Sequence, residues 1–500
     1  MGLIENVLYG FGVAFTPLNL FLCFMGAVAG TLVGVLPGLG PVGAMSMLLP
    51  VTFVISPTGA LIMLAGIYYG AQYGGSITSI LLNVPGEATT IVTCLDGNAM
   101  AKKGRAGPAL GISAFGSFIA GTMAICGTIL FAFPLTSFAL KFGPPEYFGL
   151  ICMGLVILTY LSRASMLKSL LMAVLGIFAS TIGMDSMTGV SRFSFGNISL
   201  REGVGLVPIA MGMFGLGEIL TSLEEEGKQE VLKTKLTHLF PSLQDWKDST
   251  WPILRGTILG FFLGILPGGG GLISSFASYA VEKKFSKHPE KFGTGIIEGV
   301  AGPESANNSG AQASFIPLLT LGIPTNVVTA ILLGALMIHG ITPGPLLIKE
   351  KPDLFWGVIT SMYIGNVMLL ILNLPLIPIW VRILNVPKYI LFPMIMLFCL
   401  IGVYSVNNNV FDIFVMIFFG VVGYLAKKID FEPAPFILAV VLGPIFEENL
   451  RQSLIYSRGD FSIFFTRPIS LIFMLAAILL VIYPLIPWMK KKRKSLKIEE

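Results

Sequence analysis

Long apolar runs fill this chain from Phe11 to Met489, and they set its class before any motif is considered. In a bilayer core an unpaired N–H or C=O group costs several kcal/mol, so non-helical backbone is tolerated only where it is buried in protein or lines a wet cavity. The runs therefore read as membrane helices, and at about 20 residues per span they amount to about a dozen, some short or broken. Only 12% of the 500 residues are charged and the mean hydropathy is +0.83, whereas a soluble domain carries about 25% charged residues. The fold class is an all-α polytopic integral membrane protein with about 12 spans, including broken or re-entrant helices.

The breaks between runs carry the information. The run Phe11 to Leu36 stops at Pro37-Gly38-Leu39-Gly40-Pro41, where a helix is expected to end. The next run, Val42 to Ile55, is too short to span easily, so a hairpin dipping into the membrane competes with a crossing. Pro57 to Leu82 turns polar late and leads into Asn83-Val84-Pro85-Gly86-Glu87-Ala88-Thr89-Thr90. In the second half, Pro267-Gly268-Gly269-Gly270-Gly271 interrupts another run, and Pro303 to Asn326 reads PESANNSGAQASFIPLLTLGIPTN. Such polar, Pro- and Gly-rich segments at membrane depth point to a binding site.

The breaks also come in ordered pairs. Gly34-Val35-Leu36-Pro37-Gly38-Leu39-Gly40 matches Gly264-Ile265-Leu266-Pro267-Gly268-Gly269-Gly270 at a shift of 230; Gly70-Ala71-Gln72 matches Gly310-Ala311-Gln312 at 240; Val84-Pro85 aligns loosely with Ile323-Pro324; Gly107-Pro108 answers Gly344-Pro345 at 237. Their order is kept, which the general abundance of Pro and Gly in membrane helices does not explain. The chain thus divides into a first membrane half (1–222), a charged soluble linker (223–250), a second membrane half (251–489) and a basic tail (490–500). Paired halves with broken helices are the signature of a secondary transporter whose site lies between repeats. Orientation turns on an odd or even number of spans per half, which the sequence does not count; inverted repeats are the reading adopted.

Positive-inside bias puts the tail Lys490 to Lys497 in the cytoplasm, with Lys102, Lys103 and Arg105 on the same side. The tail reads as a topology anchor, and no nucleic-acid partner is expected. The acidic N-terminus MGLIENVLYG lacks a basic n-region, so no cleavable signal peptide is expected. Cys23, Cys94, Cys126, Cys152 and Cys399 have no paired spacing, and His238, His288 and His339 have no ligand-spaced neighbour, so neither a zinc site nor a disulfide framework is indicated. Gly38 to Gly43 formally fits GxGxxG, but no acidic residue follows about 20 positions later, and its repeat partner has Ile273 at the third glycine. No cofactor is expected, and the chain is read as a non-enzyme.

What remains is neutral recognition chemistry. Helices starting after Pro37, Gly38 and Gly40, and after Pro267, Gly268 and Gly269, would aim free N–H groups into the protein, a ready anion site. The break at Asn83, Pro85, Gly86, Thr89 and Thr90 and the one from Ser305 to Asn326, with Asn307, Asn308, Gln312, Pro324 and Thr325, add amides and hydroxyls able to hold carboxylate oxygens or, through carbonyls, a sodium ion. Glu87, Glu298 and Glu304 flank these breaks; Glu87 and Glu304 are the candidates for cation coupling, against the plainer reading of loop-end carboxylates in water.

With these residues assembled, the chain resembles the large membrane subunit of tripartite tricarboxylate transporters, the TctA family, over nearly its full length. The resemblance rests on Gly30 to Pro41 (GTLVGVLPGLGP), Tyr73 to Thr90 (YGGSITSILLNVPGEATT), Asp96 to Ala114, Gly264 to Gly271, Pro303 to Asn326, and Ser457 to Ser470 (SRGDFSIFFTRPIS). It implies a permease of the bacterial inner membrane that works with a small four-span membrane subunit and a periplasmic solute-binding protein. That protein would deliver a di- or tricarboxylate such as citrate, and a sodium or proton gradient would drive uptake. The motifs are general to the family and do not select the carboxylate.

Overall fold

The computed structural model describes residues 2–36, 40–161, 165–224, 239–268, 270–383 and 388–482. They are almost entirely helical; one two-stranded antiparallel hairpin pairs Gly183–Met184 with Ser191–Arg192. By length and composition, six helices among the described residues are long and apolar enough to cross a membrane, with shorter apolar helices besides. The all-α polytopic fold is as the sequence reads. Within the stretch read as a soluble linker, residues 225–238 lie outside the described residues, as does the tail 490–500. The linker's end is helical: Ser242 caps the helix Leu243–Ile265 by accepting from the Asp245 N–H, while the Asp245 carboxylate reaches back to the Ser242 N–H.

The described chain forms two compact units, one of residues 1–139 and 205–425 and one of residues 140–204 and 426–500, so each draws on both sequence halves. The smaller unit packs Pro144–Leu161, Met166–Ser180, Pro433–Tyr456 and Pro468–Ile482. Its hairpin is tied down by Arg192 on Glu447 (2.7 Å) and by Arg451 on Asp185 (2.7 Å).

The larger unit is built around two helix pairs. In the first, Gly26, Gly30 and Gly34 of Pro17–Val35 lie so close to Pro57–Leu82 that a Cβ on them would meet the carbonyl oxygens of Met63, Ile67 and Ala71 at 2.2, 2.4 and 2.1 Å. In the second, Gly256, Gly260 and Gly264 of Leu243–Ile265 meet the carbonyls of Gly302, Ala306 and Gly310 at 2.4, 2.2 and 2.3 Å. Without a hydrophobic drive between helices in lipid, this backbone approach at small residues is what holds such pairs together.

The two ladders are the same ladder. The glycines are shifted by 230 (Gly26 to Gly256) and their partners by 239 (Met63 to Gly302). The second shift continues into the breaks: Asn83 and Gly322, which end the inner helices, are both left-handed (φ 59° and 69°), and Pro85 and Pro324 follow. Gly40 and Gly270, which open the helices after the corners, have φ 58° and 57°. The match of Gly70-Ala71-Gln72 to Gly310-Ala311-Gln312 is therefore one residue out of register: packing sets Ala71 against Gly310, and three shared letters are too few to fix a frame.

The inner helices are enclosed. Every residue from Thr58 to Leu81, and every residue from Gly299 to Thr320, is buried. This corrects one expectation. Ser305 to Asn326 is not one break: Glu298–Ala313 and Phe315–Leu321 are helical, and the chain leaves the helix only from Gly322 until Val327–Ile338 begins. Polar residues here do not interrupt the helix because protein surrounds it on all sides, so no face has to be apolar for lipid.

Candidate functional site

Each corner helix packs against the other repeat, the first on the helix that follows its break and the second on the break itself. Gly40–Leu48 lies against Val327–Ile338, and Gly270–Phe285 lies against the short 3-10 turn Ala88–Thr90. The Ser275 hydroxyl donates to the Thr89 carbonyl at 2.8 Å, and a Cβ on Gly271 would meet Asn307 Oδ1 at 2.5 Å and Thr89 Cγ2 at 3.2 Å. On the other side, the Gly268 N–H donates to the Thr325 carbonyl (2.8 Å), Gly270 abuts Asn326, and Asn326 Nδ2 donates to the Tyr68 hydroxyl (3.0 Å).

Asn326 does double duty. Its Oδ1 accepts from the Thr329 N–H and its own N–H donates to Thr329 Oγ1, both at 3.0 Å, which fixes the start of Val327–Ile338. Its counterpart at a shift of 239 is Glu87, which precedes Ala88–Thr90 and accepts from the Thr89 hydroxyl. Thr90 and Thr329 are likewise equivalent, each donating to the carbonyl at the start of its own turn, Glu87 (3.0 Å) and Asn326 (2.9 Å). Tyr68 and Asn307 complete the correspondence: Tyr68 meets Asn326, and Asn307 lies beside Gly271 at the start of the second corner helix.

The predicted residues sort into three groups. Thr89, Glu87, Gly268, Thr325, Asn307 and Asn326 converge, together with Gly270, Gly271, Ser275 and Tyr68, which sequence reasoning did not single out as site residues. Ser305 and Asn308 point to a different neighbour, Ala106–Ala139: Asn308 Nδ2 donates to Ser117 Oγ at 2.8 Å, and Ser305 Oγ lies 3.0 Å from where a Cβ on Gly116 would sit. Asn83, Pro85, Gly86, Pro267 and Pro324 shape the backbone; Gly86 is required because a Cβ there would meet the Gly34 carbonyl at 2.1 Å. Gly40 opens its helix with no atom within 4 Å of a Cβ position. Pro37, Gly38 and Gly269 lie outside the described residues.

Several buried side-chain atoms have no hydrogen-bond partner among the described residues: both amide atoms of Gln72 and of Asn307, Asn308 Oδ1, Gln312 Oε1 and Ser305 Oγ. A buried polar atom left unpaired costs about 1–3 kcal/mol. All of these atoms lie on the two equivalent inner helices, and others lie elsewhere, among them Ser249 Oγ, Ser278 Oγ and Asn373 Oδ1.

The acidic residues are not loop-end groups in water. Glu304 stands inside Glu298–Ala313 with 1% of its surface exposed, and Glu87 is 8% exposed; only Glu298, at the start of its helix, is partly accessible. The placement follows from the inner helices having no solvent side. Asp96 is an acid that sequence reasoning passed over. Buried, it accepts from the Tyr279 hydroxyl (2.9 Å) and from the N–H groups of Gly293 (3.0 Å), Gly295 (2.7 Å) and Ile296 (3.0 Å). It pins Ile91–Met100, the helix after the first break, to a loop of the second half. The only sequence signal was its position in the run Asp96 to Ala114.

The model for the tripartite tricarboxylate transporter TctA family matches residues 20–438. Over 500 residues, covering both chains completely, this chain is 52% identical to an uncharacterized 52.8 kDa protein in the TAR-I ttuC' 3' region of Agrobacterium vitis. A second Agrobacterium vitis protein, uncharacterized and in the TAR-II ttuC' 3' region, is 53% identical over 241 residues, which is 48% of this chain and all of that protein. No solved structure matches the chain.

Proposed function

The chain belongs to the tripartite tricarboxylate transporter TctA family, and from that premise we propose that it is the permease subunit of a secondary active importer of di- or tricarboxylates. A periplasmic solute-binding protein delivers the anion, a small four-span subunit completes the membrane complex, and a sodium or proton gradient drives uptake. The chain sits in the bacterial inner membrane with its C-terminus in the cytoplasm and its two repeats inverted.

One observation carries this reading: the first turn of Gly270–Phe285 faces the first break at Thr89, with the unpartnered amide of Asn307 beside it. A helix start offers free N–H groups and the positive end of its dipole to an anion, and neutral amides avoid the desolvation cost of a buried guanidinium. The lining thus supplies donors to carboxylate oxygens. Glu87 and Glu304 are the groups for the coupling cation, because ionisable residues at membrane depth mark ion pathways.

The test is uptake of a labelled di- or tricarboxylate into proteoliposomes holding this chain and its small subunit, with the binding protein outside. Accumulation above equilibrium that needs the binding protein and is abolished by an ionophore is expected. Equilibration without accumulation would make the protein a channel, and covalent turnover of the solute without a gradient would make it an enzyme.

A further inference from the structure

Of the two buried glutamates, Glu304 has the more elaborate surroundings. Its carboxylate meets hydroxyls from three other helices: Ser76 Oγ of Pro57–Leu82 at 2.6 Å on Oε2, Ser113 Oγ of Ala106–Ala139 at 3.1 Å on the same oxygen, and Thr93 Oγ1 of Ile91–Met100 on Oε1. Glu87, by contrast, takes its hydroxyl from Thr89 of its own turn. Tyr73, Glu87 and Cys94 feel the charge of Glu304 and none of them is a cation, and among the described residues no ion pair includes it.

A carboxylate out of water with no counter-charge is strongly disfavoured, and hydroxyls alone do not remove the charge. The neutralising charge has to come from solution. Two carboxylate oxygens ringed by three hydroxyls make an all-oxygen shell, which suits a hard monovalent cation or a proton and offers nothing to a soft metal. The hydroxyls can serve either state, because each carries one donor hydrogen and two acceptor lone pairs. Ser76 has the alternative built in: its Oγ lies 2.6 Å from Glu304 Oε2 and 2.9 Å from the Gln72 carbonyl, with one hydrogen to give. With the site empty, the hydrogen goes to Glu304. With a cation or proton on the carboxylate, it turns to Gln72 and presents a lone pair.

We propose that Glu304, Ser76, Thr93 and Ser113 form the coupling-cation site, with Ser76 as its switch, and that filling the site precedes anion binding. This rests on the transport reading above. The order follows from charge: Glu304 lies one helical turn from Asn307 and Asn308, so an unneutralised carboxylate repels an arriving carboxylate, and a bound cation lifts that repulsion. If the cation is a proton, one O–H bond forms on Glu304 as one breaks on the hydronium ion that delivers it, leaving a water molecule.

The experiment uses the intact chain with its small subunit and binding protein in proteoliposomes, under a sodium gradient alone and a proton gradient alone. The wild-type arm that accumulates carboxylate identifies the cation. Glu304→Gln, a neutral isostere, is expected to take up carboxylate at one rate with or without that gradient and with or without ionophore. Ser76→Ala, which keeps the carboxylate, is expected to raise the half-saturating concentration of the same cation. Gradient-driven accumulation by Glu304→Gln, or an unchanged half-saturation in Ser76→Ala, overturns the assignment. If the wild type moves no carboxylate under either gradient, the transport reading itself fails, a separate outcome.

Discussion

Gly260→Ala tests the packing that sets the whole site. The new methyl would sit 2.2 Å from the Ala306 carbonyl oxygen, 2.7 Å from its Cα and 2.8 Å from its C, against a comfortable C···O separation of about 3.3–3.6 Å. The obstacle is backbone of a buried helix, so no rotamer relieves it. The helices must separate by about 1 Å, and a gap of 0.5–1 Å forfeits about a quarter to a half of each contact along the ladder. Overpacking of this kind costs about 1–3 kcal/mol. Ala is also the better helix former by about 1 kcal/mol, which acts in the opposite direction. The net expectation is a loss of up to about 2 kcal/mol, the overpacking cost less the propensity gain. Gly12→Ala is the control: it lies in the helix Leu3–Ala14 with nothing within 4 Å of its Cβ position, so only the propensity gain applies. The assay is thermal unfolding in detergent followed by a thiol-reactive dye, since Cys23 and Cys399 are buried. Gly260→Ala should melt below wild type and Gly12→Ala at or above it. A Gly260→Ala protein as stable as wild type would refute the ladder as the basis of the fold.

Other consequences follow from particular contacts. Asp96→Ala removes the acceptor of the Tyr279 hydroxyl and of three backbone N–H groups; water reaches these partly exposed donors, so a total loss of about 1–3 kcal/mol, that of hydrogen bonds to a charged group, is expected in the same melting assay, and an unchanged midpoint would show that the pin is idle. Asn326→Ala removes both a helix cap and the bond to Tyr68, and Asn307→Ala removes an unpartnered amide. Both should reduce uptake with normal membrane insertion, Asn326→Ala with an added stability loss of about 1 kcal/mol, and wild-type kinetics in both would remove them from the site. In the smaller unit, the Arg451 guanidinium, with the Met187 N–H and the Thr188 hydroxyl, holds the Asp185 carboxyl well below the usual carboxylate range. A depressed pKa stabilises the fold above the ordinary aspartate value and loses that effect as pH falls through the folded value. Wild type should therefore melt above Asp185→Asn at neutral pH, with the gap closing below about pH 4; a gap that persists at low pH would contradict this.

The sequence made the breaks visible because a proline or a glycine cluster interrupts the backbone ladder that an apolar run must otherwise keep intact, and Asn83 to Thr90 sits where it was read. Burial was harder to see. Ser305, Asn307, Asn308 and Gln312 look like a loop by composition, yet they lie on a regular helix, because a helix wrapped entirely by protein shows no apolar stripe to betray it. Glu304 is buried for the same reason, which goes against the plainer reading of a loop-end carboxylate in water. The register error at Gly70 has another source: the true equivalence is of backbone positions. Ser309 Oγ donates to the Thr257 carbonyl where Gly70 lies against the carbonyl of Ala27, so residues of different type fill one place.

That freedom of residue type within a shared frame bears on how a duplicated protein works in one direction. A scaffold that treats its two repeats alike would bind the same groups on both sides, so directionality requires the copies to differ where charge sits. Among the differences at equivalent positions are three acids without an acidic counterpart. Glu87 stands where the second repeat has Asn326, Asp96 where it has Ala335, and Glu304 where the first repeat has Ala65. Both alanines are buried, so no acid has been displaced to the surface in the other copy. Asp96 pins one post-break helix, while Ala335 leaves the other without that tie. Glu304 takes its three hydroxyls from Ser76, Thr93 and Ser113, all of them in the first half. The duplicated backbone provides the paired corners and breaks, and each of these three acids stands in one copy only.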